Sequence, residues 1–186
     1  MSSKTALIPV DIQKGFDEHA YWGGPRNNPA FEANVEKLIA GARDVGVPIF
    51  HVQHNSTDAG SPLRPGTPGN DFMDVAKPED GEVVFGKGVN SGFIGTALEE
   101  TLRHHNITDV VIFGLTTDQC VSTTTRMAAN FGFNVRIVTD ACATFPKRLP
   151  SGEIFDAELI HNTNLASLHN EFAQVVTSDD VLASWS

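Results

Sequence analysis

The sequence predicts an α/β fold, a doubly wound sandwich with helices over both faces of a parallel sheet. Three observations predict it. Six short apolar runs rich in β-branched residues are spread along the chain, and amphipathic segments at helical spacing separate them. Within each run nearly every position is apolar, as in strands buried on both faces. Strand, helix, strand repeated in this way leads to right-handed crossovers.

The expected strands cover residues 6–10, 47–52, 83–85, 109–113, 135–138 and 172–176. The first helix takes Asn28 as N-cap and Pro29 as its first residue, turns Phe31, Val35, Leu38, Ile39 and Ala42 inward, and stops at Gly46. A second follows Thr96, with Ala97, Leu98 and Leu102 inward. The third starts around Cys120 and runs to Gly132. The fourth is expected near Ser151, with Ile154, Phe155, Leu159 and Ile160 as its early apolar face. A short last helix is announced by Thr177 as N-cap and Asp180 three residues on. The stretch 54–78, rich in Gly, Pro, Asn and Asp, breaks the rhythm. A loop of that length inside a compact domain is expected to form an ordered rim of the active site or a subunit contact.

The 186 residues suit a single domain, 1–186, around one core. A formal net charge of -10 argues against a grip on nucleic acid or an anionic membrane, both of which need Lys and Arg against phosphate. No run approaches the length of a membrane span, and the apolar stretch after Met1-Ser2-Ser3-Lys4 is too short for a signal segment. Cys120 and Cys142 each follow an apolar run and read as free thiols of a reducing compartment. The expectation is a cytoplasmic protein whose partner is a small molecule.

Ligands of open parallel sheets bind beyond the carboxyl ends of the strands. Asp11 follows the first strand, Lys87 the third, and Cys120 stands between the fourth strand and a helix, so a carboxylate, an ammonium and a thiol share one sheet edge. Each alone has an ordinary explanation: a turn-capping Asp, a solvated Lys, a small buried Cys. Together they make a nucleophilic site. A helix N-terminus and a nearby ammonium favour the thiolate. Asp11 can take the thiol proton and return it to a leaving amine, with Lys87 holding Asp11 ionised and stabilising developing negative charge. Backbone N–H groups of the turn before the helix can form an oxyanion hole. The chemistry expected is acyl transfer through a thioester.

Three segments carry these residues: Val10-Asp11-Ile12-Gln13-Lys14-Gly15-Phe16, Gly86-Lys87-Gly88-Val89-Asn90-Ser91-Gly92-Phe93, and Gly114-Leu115-Thr116-Thr117-Asp118-Gln119-Cys120-Val121. With Thr123, Thr124, Thr125, Ala128, Ala129, Gly132 and Thr139-Asp140-Ala141, they closely resemble the motifs of the isochorismatase-like cysteine hydrolases, in order along nearly the whole chain. The resemblance implies a Rossmann-like three-layer sandwich with a six-stranded parallel sheet in the order 3-2-1-4-5-6, assembled as a homo-oligomer, a dimer or tetramer. It implies an Asp-Lys-Cys triad, here Asp11, Lys87 and Cys120, and a cis peptide at Leu115–Thr116. The amides of Thr116 and Cys120 are the candidate oxyanion hole. Members that cleave a vinyl ether protonate a carbon and need no thiol. A Cys in the nucleophile position therefore points to an amide-type C–N bond, the alternatives being C–O hydrolysis of a vinyl ether or ester, or an inactive oligomeric binding protein of the same fold.

Nicotinamidases of this family hold a metal with an Asp-x-His pair after the second strand and a later His. The corresponding segment here is His51-Val52-Gln53-His54-Asn55-Ser56, which supplies no carboxylate-plus-two-His set, so neither metal nor cofactor is expected. On a strand His51 and Gln53 share one face and His54 points the other way. The expected substrate pocket comprises Phe16 and Trp22, with Tyr21, as an aromatic wall, and His51, Gln53 and Asn90 as polar lining. Cys142 is read as structural, His104 and His105 as cations at a helix end, and Arg148, Asp156 and His161 as candidates for a subunit contact.

Overall fold

The computed structural model describes residues 4–185. Its strands are β1 (Thr5–Val10), β2 (Phe50–His54), β3 (Val83–Lys87), β4 (Asp109–Leu115), β5 (Asn134–Ala143), β6 (Lys147–Arg148), β7 (Ile154–Phe155) and β8 (Gln174–Val176). Six of them form one sheet in the order β3-β2-β1-β4-β5-β8, with every pairing parallel. The small antiparallel ribbon β6–β7 intervenes before the last main-sheet strand, so the topology is the expected 3-2-1-4-5-6 with two strands inserted.

The helices are α1 (His19–Trp22), α2 (Phe31–Val45), α3 (Leu98–His104), α4 (Ser122–Asn130), α5 (Ala157–Leu168) and α6 (Ser178–Ala183). α2 packs with α6, and α4 with α5. From β1 the chain steps outward through α2 to β2; from β4 it steps the opposite way through α4 to β5. Crossovers of one hand running in opposite directions put their helices on opposite faces and leave a crevice where the direction reverses, between β1 and β4. There the two backbones approach closely. Val10 pairs with Gly114, whose φ is 127°, and a Cβ on Gly114 would lie 2.0 Å from the Val10 carbonyl oxygen. Only glycine fits.

Ala6, Leu7, Ile8 and Val10 of β1 and Val110, Val111, Ile112 and Phe113 of β4 are fully buried, which is why these runs read as continuously apolar. The last helix carries the expected capping box between Thr177 and Asp180. The stretch 54–78 is organised around Asn70. The Asn70 amide donates to the carbonyls of His54 and Leu63, both at 2.9 Å, while its own carbonyl accepts from the side chains of Gln13 (2.8 Å) and Gln53 (2.9 Å).

Two helix starts differ from expectation. α2 begins at Phe31 behind Ala30, and Asn28 sits at φ 51° with its amide turned to the carbonyls of Thr139 (3.0 Å) and Cys142. Its side chain braces β5 in place of capping a helix. Residues 151–155 form no helix: Ile154 and Phe155 make β7, and α5 starts at Ala157, capped by Asp156 accepting from the Leu159 amide at 2.7 Å. Ile154 and Leu159, expected inside, are 56% and 46% exposed.

No helix among the described residues is long and apolar enough to cross a membrane. At the amino ends of the strands, Lys4, Thr5, Pro48 and Ile107 line a cavity together with Ser184 and Trp185, so both ends of the described chain meet on that side of the sheet.

Candidate active site

Asp11 is the first residue beyond β1, at φ 52°, and Lys87 is the last residue of β3. Cys120 lies in a π-helical turn, Thr117–Val121, joining β4 to α4. The wide turn is closed by the Val121 amide donating to the Thr116 carbonyl at 3.2 Å, with the Gln119 amide on the same oxygen at 3.1 Å. The Leu115–Thr116 peptide is cis.

These positions converge on the Lys87 ammonium. Its Nζ lies 2.7 Å from Asp11 Oδ2, 3.0 Å from His54 Nδ1 and 3.3 Å from Cys120 Sγ. An ammonium has three protons and no acceptor, so all three are committed, and Nδ1 of His54 must carry the lone pair. Asp11 is 0% exposed, Lys87 2% and Cys120 8%. The second carboxylate oxygen, Asp11 Oδ1, is buried with no hydrogen-bond partner, and the Asp11 carboxyl as a whole lies beside the Cys120 thiol. Ligand atoms of Asp11, His54 and Cys120 all lie within 4.8 Å of one another, a spacing that could surround a metal ion. The Lys87 ammonium stands among them, and an ion would have to displace it.

Burial dominates the protonation states. It raises the Asp11 carboxyl, with the charge and hydrogen bond of Lys87 pulling the other way. It also pushes the Cys120 thiol up, reinforced by the Asp11 charge and opposed by Lys87. Lys87 favours the ionised form of Asp11, in the direction expected. The expectation that the helix start and Lys87 preform a thiolate is corrected: at this depth desolvation outweighs both, and the resting thiol keeps its proton. His54 is driven down to about 4 by burial and by the Lys87 charge, against a hydrogen bond to the Val89 backbone. It is neutral at ordinary pH.

Above the cluster opens a cavity of about 170 Å³. Asp11, Thr116 and Cys120 form its floor, Phe16, Tyr21 and Trp22 one wall, and Asn90 and Gln119 lie at the rim. The 54–78 stretch contributes His54, Ser56, Ser61 and Leu63. The aromatic wall is held firmly. Trp22 packs against both Phe16 (4.7 Å) and Phe145 (5.6 Å), which also touch each other at 6.1 Å, and its Nε1 donates to the Gly15 carbonyl at 2.8 Å.

His51 and Gln53 are not in this cavity, a second correction. His51 is 0% exposed, with Nε2 2.7 Å from Glu82 Oε2, and Gln53 faces a separate groove with Lys14 and Asp74. Strand alternation turns them to one face of β2 and His54 to the other, and the pairing of His54 with Lys87 across β2–β3 sets which face meets the cleft. His54 therefore takes the place expected of His51. Arg43 grips Glu82 through Nε at 2.8 Å and NH2 at 3.0 Å. Against the desolvation that would raise it, Arg43, the Glu79 backbone and His51 hold the Glu82 carboxyl down at about 2.

His161, a candidate for a subunit contact, is 2% exposed and lies inside, 2.8 Å from Thr117 Oγ1, where it braces the Cys120 turn. Cys142 is fully buried and pushed up to about 12 by that burial. Ser56, Ser61, Leu63 and Gln119 escaped sequence reasoning: a loop's sequence carries no signal for which of its side chains meet a cleft.

The family model for the isochorismatase domain matches residues 5–180. YrdC of Bacillus subtilis, an isochorismatase family protein, is 45% identical over 182 residues, covering 98% of this chain and 96% of its own. Nicotinamidase 3 of Arabidopsis thaliana is 29% identical, covering 98% of this chain and 89% of its own. Among solved structures, a hydrolase from Chromobacterium violaceum assigned to the same family superposes with a TM-score of 0.93 at 38% identity, over 100% of this chain and 95% of that one.

Proposed function

The chain belongs to the isochorismatase family of hydrolases, and from that premise we propose that it hydrolyses an amide-type C–N bond of a small molecule through a thioester on Cys120. The observation that carries this reading is the buried Asp11 carboxyl, with its Oδ1 uncommitted, beside the Cys120 thiol at the floor of a cavity. An unfilled buried acceptor is costly, and one next to a nucleophile is placed to receive its proton. The relative named as a nicotinamidase, an enzyme of C–N hydrolysis, supports the reaction class.

Substrate enters with its carbonyl carbon over Cys120 Sγ. The thiol proton passes to Asp11, whose raised affinity suits it to accept, and the C–S bond forms as the carbonyl π pair moves onto oxygen. The amides of Thr116 and Cys120 are the proposed donors to that oxyanion. When the tetrahedral species collapses, Asp11 returns its proton to the leaving nitrogen and the C–N bond breaks. Water then gives a proton to Asp11 and attacks the thioester; the acid leaves and Cys120 regains its proton. Lys87 takes no part in these proton transfers. Its charge stabilises the thiolate in transit, and neutral His54 fixes the direction of the ammonium.

The test is ammonia or amine release from a panel of amides, run beside the matching esters, with acid-quenched mass spectrometry for an acyl adduct on Cys120. Cys120→Ala is expected to lose at least about 10³-fold in turnover while melting as the wild type does. Full amidase activity in Cys120→Ala, or turnover of esters alone, sinks the proposal.

A further inference from the structure

The way charge is distributed around the cavity bears on what enters it. The cation beneath the floor, Lys87, which does not itself line the cavity, has each of its three protons on an internal acceptor: Asp11, His54 and Cys120. None remains for a carboxylate on the substrate. Among the described residues, the lining includes the acidic residue Asp11, fully buried, and no Lys. The lining holds no Arg among the described residues. Besides Asp11 Oδ1, the unpartnered polar groups at the cavity include the Thr116 hydroxyl, the carboxamides of Asn90 and Gln119 and the Tyr21 hydroxyl, all four uncharged and able both to donate and to accept. A desolvated carboxylate needs charged or multiple donors, whereas an amide or urea edge is satisfied by such groups.

Shape adds a second constraint. The Phe16–Trp22 stack is locked from behind by Phe145 and by the indole hydrogen bond, so the wall is flat before any ligand arrives. A cavity of about 170 Å³ is near the size, about 150 Å³, that accepts one benzene ring. From these we infer that the cleft selects flat, uncharged amides of about one ring and rejects amides of the same shape that carry a carboxylate. The inference rests on the C–N hydrolase reading, which leaves substrate charge open.

Isophthalamide and its monoacid, 3-carbamoylbenzoate, have nearly the same shape and differ by one negative charge. Binding of each to the Cys120→Ala protein is measured by calorimetry, and ammonia release from each by the wild type. Isophthalamide is expected to bind at least about 100-fold more tightly and to lead in kcat/KM by a similar factor. Asn90→Lys, at an exposed rim position, is expected to close that gap by at least about 10-fold by supplying the missing cation. Isophthalamide that binds tightly but releases no ammonia leaves the selectivity standing and removes the C–N reading. Equal or tighter binding of the acid overturns the inference, as does failure of both compounds to bind at millimolar concentration, or an Asn90→Lys protein with an unchanged gap.

Discussion

Two histidines three residues apart on β2 each sit against an ion pair, His51 against Arg43–Glu82 and His54 against Lys87–Asp11. In the first cluster both carboxylate oxygens of Glu82 are filled, Oε1 by Arg43 and Oε2 by Arg43, His51 and the Glu79 amide. Its one unpaired atom, His51 Nδ1, belongs to a neutral ring with no exposure. In the second, one oxygen of Asp11 is held by Lys87 and the other has no hydrogen-bond partner, in a carboxyl that lies beside a thiol at a cavity. Burial and pairing are common to both. What separates a structural cluster from a reactive one is an uncommitted acceptor within reach of a nucleophile and of incoming substrate.

The contrast breaks most sharply at the two carboxylates. Asp11→Asn removes the proposed proton acceptor and is expected to cut kcat by about 10³-fold or more in the ammonia-release assay, whereas Glu82→Gln leaves kcat within a factor of two. Equal losses would erase the distinction. Next come the two rings. His54→Phe removes an acceptor from Lys87 and is expected to lower kcat about 10- to 100-fold with little change in KM, and His54→Asn, which keeps an acceptor oxygen, recovers most of it. A loss of the same size in His54→Asn would point to packing and away from orientation of Lys87.

A smaller effect is expected in stability. Glu82→Gln should cost about 1–3 kcal/mol in chemical denaturation at pH 7. The Glu82 carboxyl sits at about 2 when folded against an ordinary 4.5, so on acidification the unfolded chain takes the proton first. The stabilisation is complete above pH 4.5, drains away as the pH falls towards 2, and is absent from Glu82→Gln over the whole range. Melting curves of the two proteins should converge at low pH. The smallest expected difference is between the two thiols. Both are raised by burial, but Cys120 opens on the cavity and Cys142 is fully enclosed, so iodoacetamide at pH 8 should modify Cys120 at least about 10-fold faster by peptide mass mapping.

Asp11, Lys87 and Cys120 were readable because strand ends in a parallel sheet share one edge whatever the details of packing. His54 was not. Alternation along β2 separates it from His51 on sight, but which face meets the cleft depends on register with β3, a pairing made between residues 33 apart in sequence. Asn28-Pro29 carries a local capping signal that lost to carbonyls of β5, over 110 residues away in sequence. Ile154, Phe155 and Leu159 have helical spacing, but so short a window does not distinguish a helix face from a ribbon followed by a helix. The protonation of Cys120 turns on depth, which spacing does not encode: ammonium and helix start are visible in the sequence, the desolvation that overrides them is not.

The cleft opens at the carboxyl ends of the strands, while residues 4, 5, 184 and 185 line one cavity at their amino ends. A linker attached at either place leaves the mouth facing away from whatever it is fixed to. The molecule can thus be tethered to a bead or an electrode in a known orientation, and a layer of it would present its openings to the flowing solution.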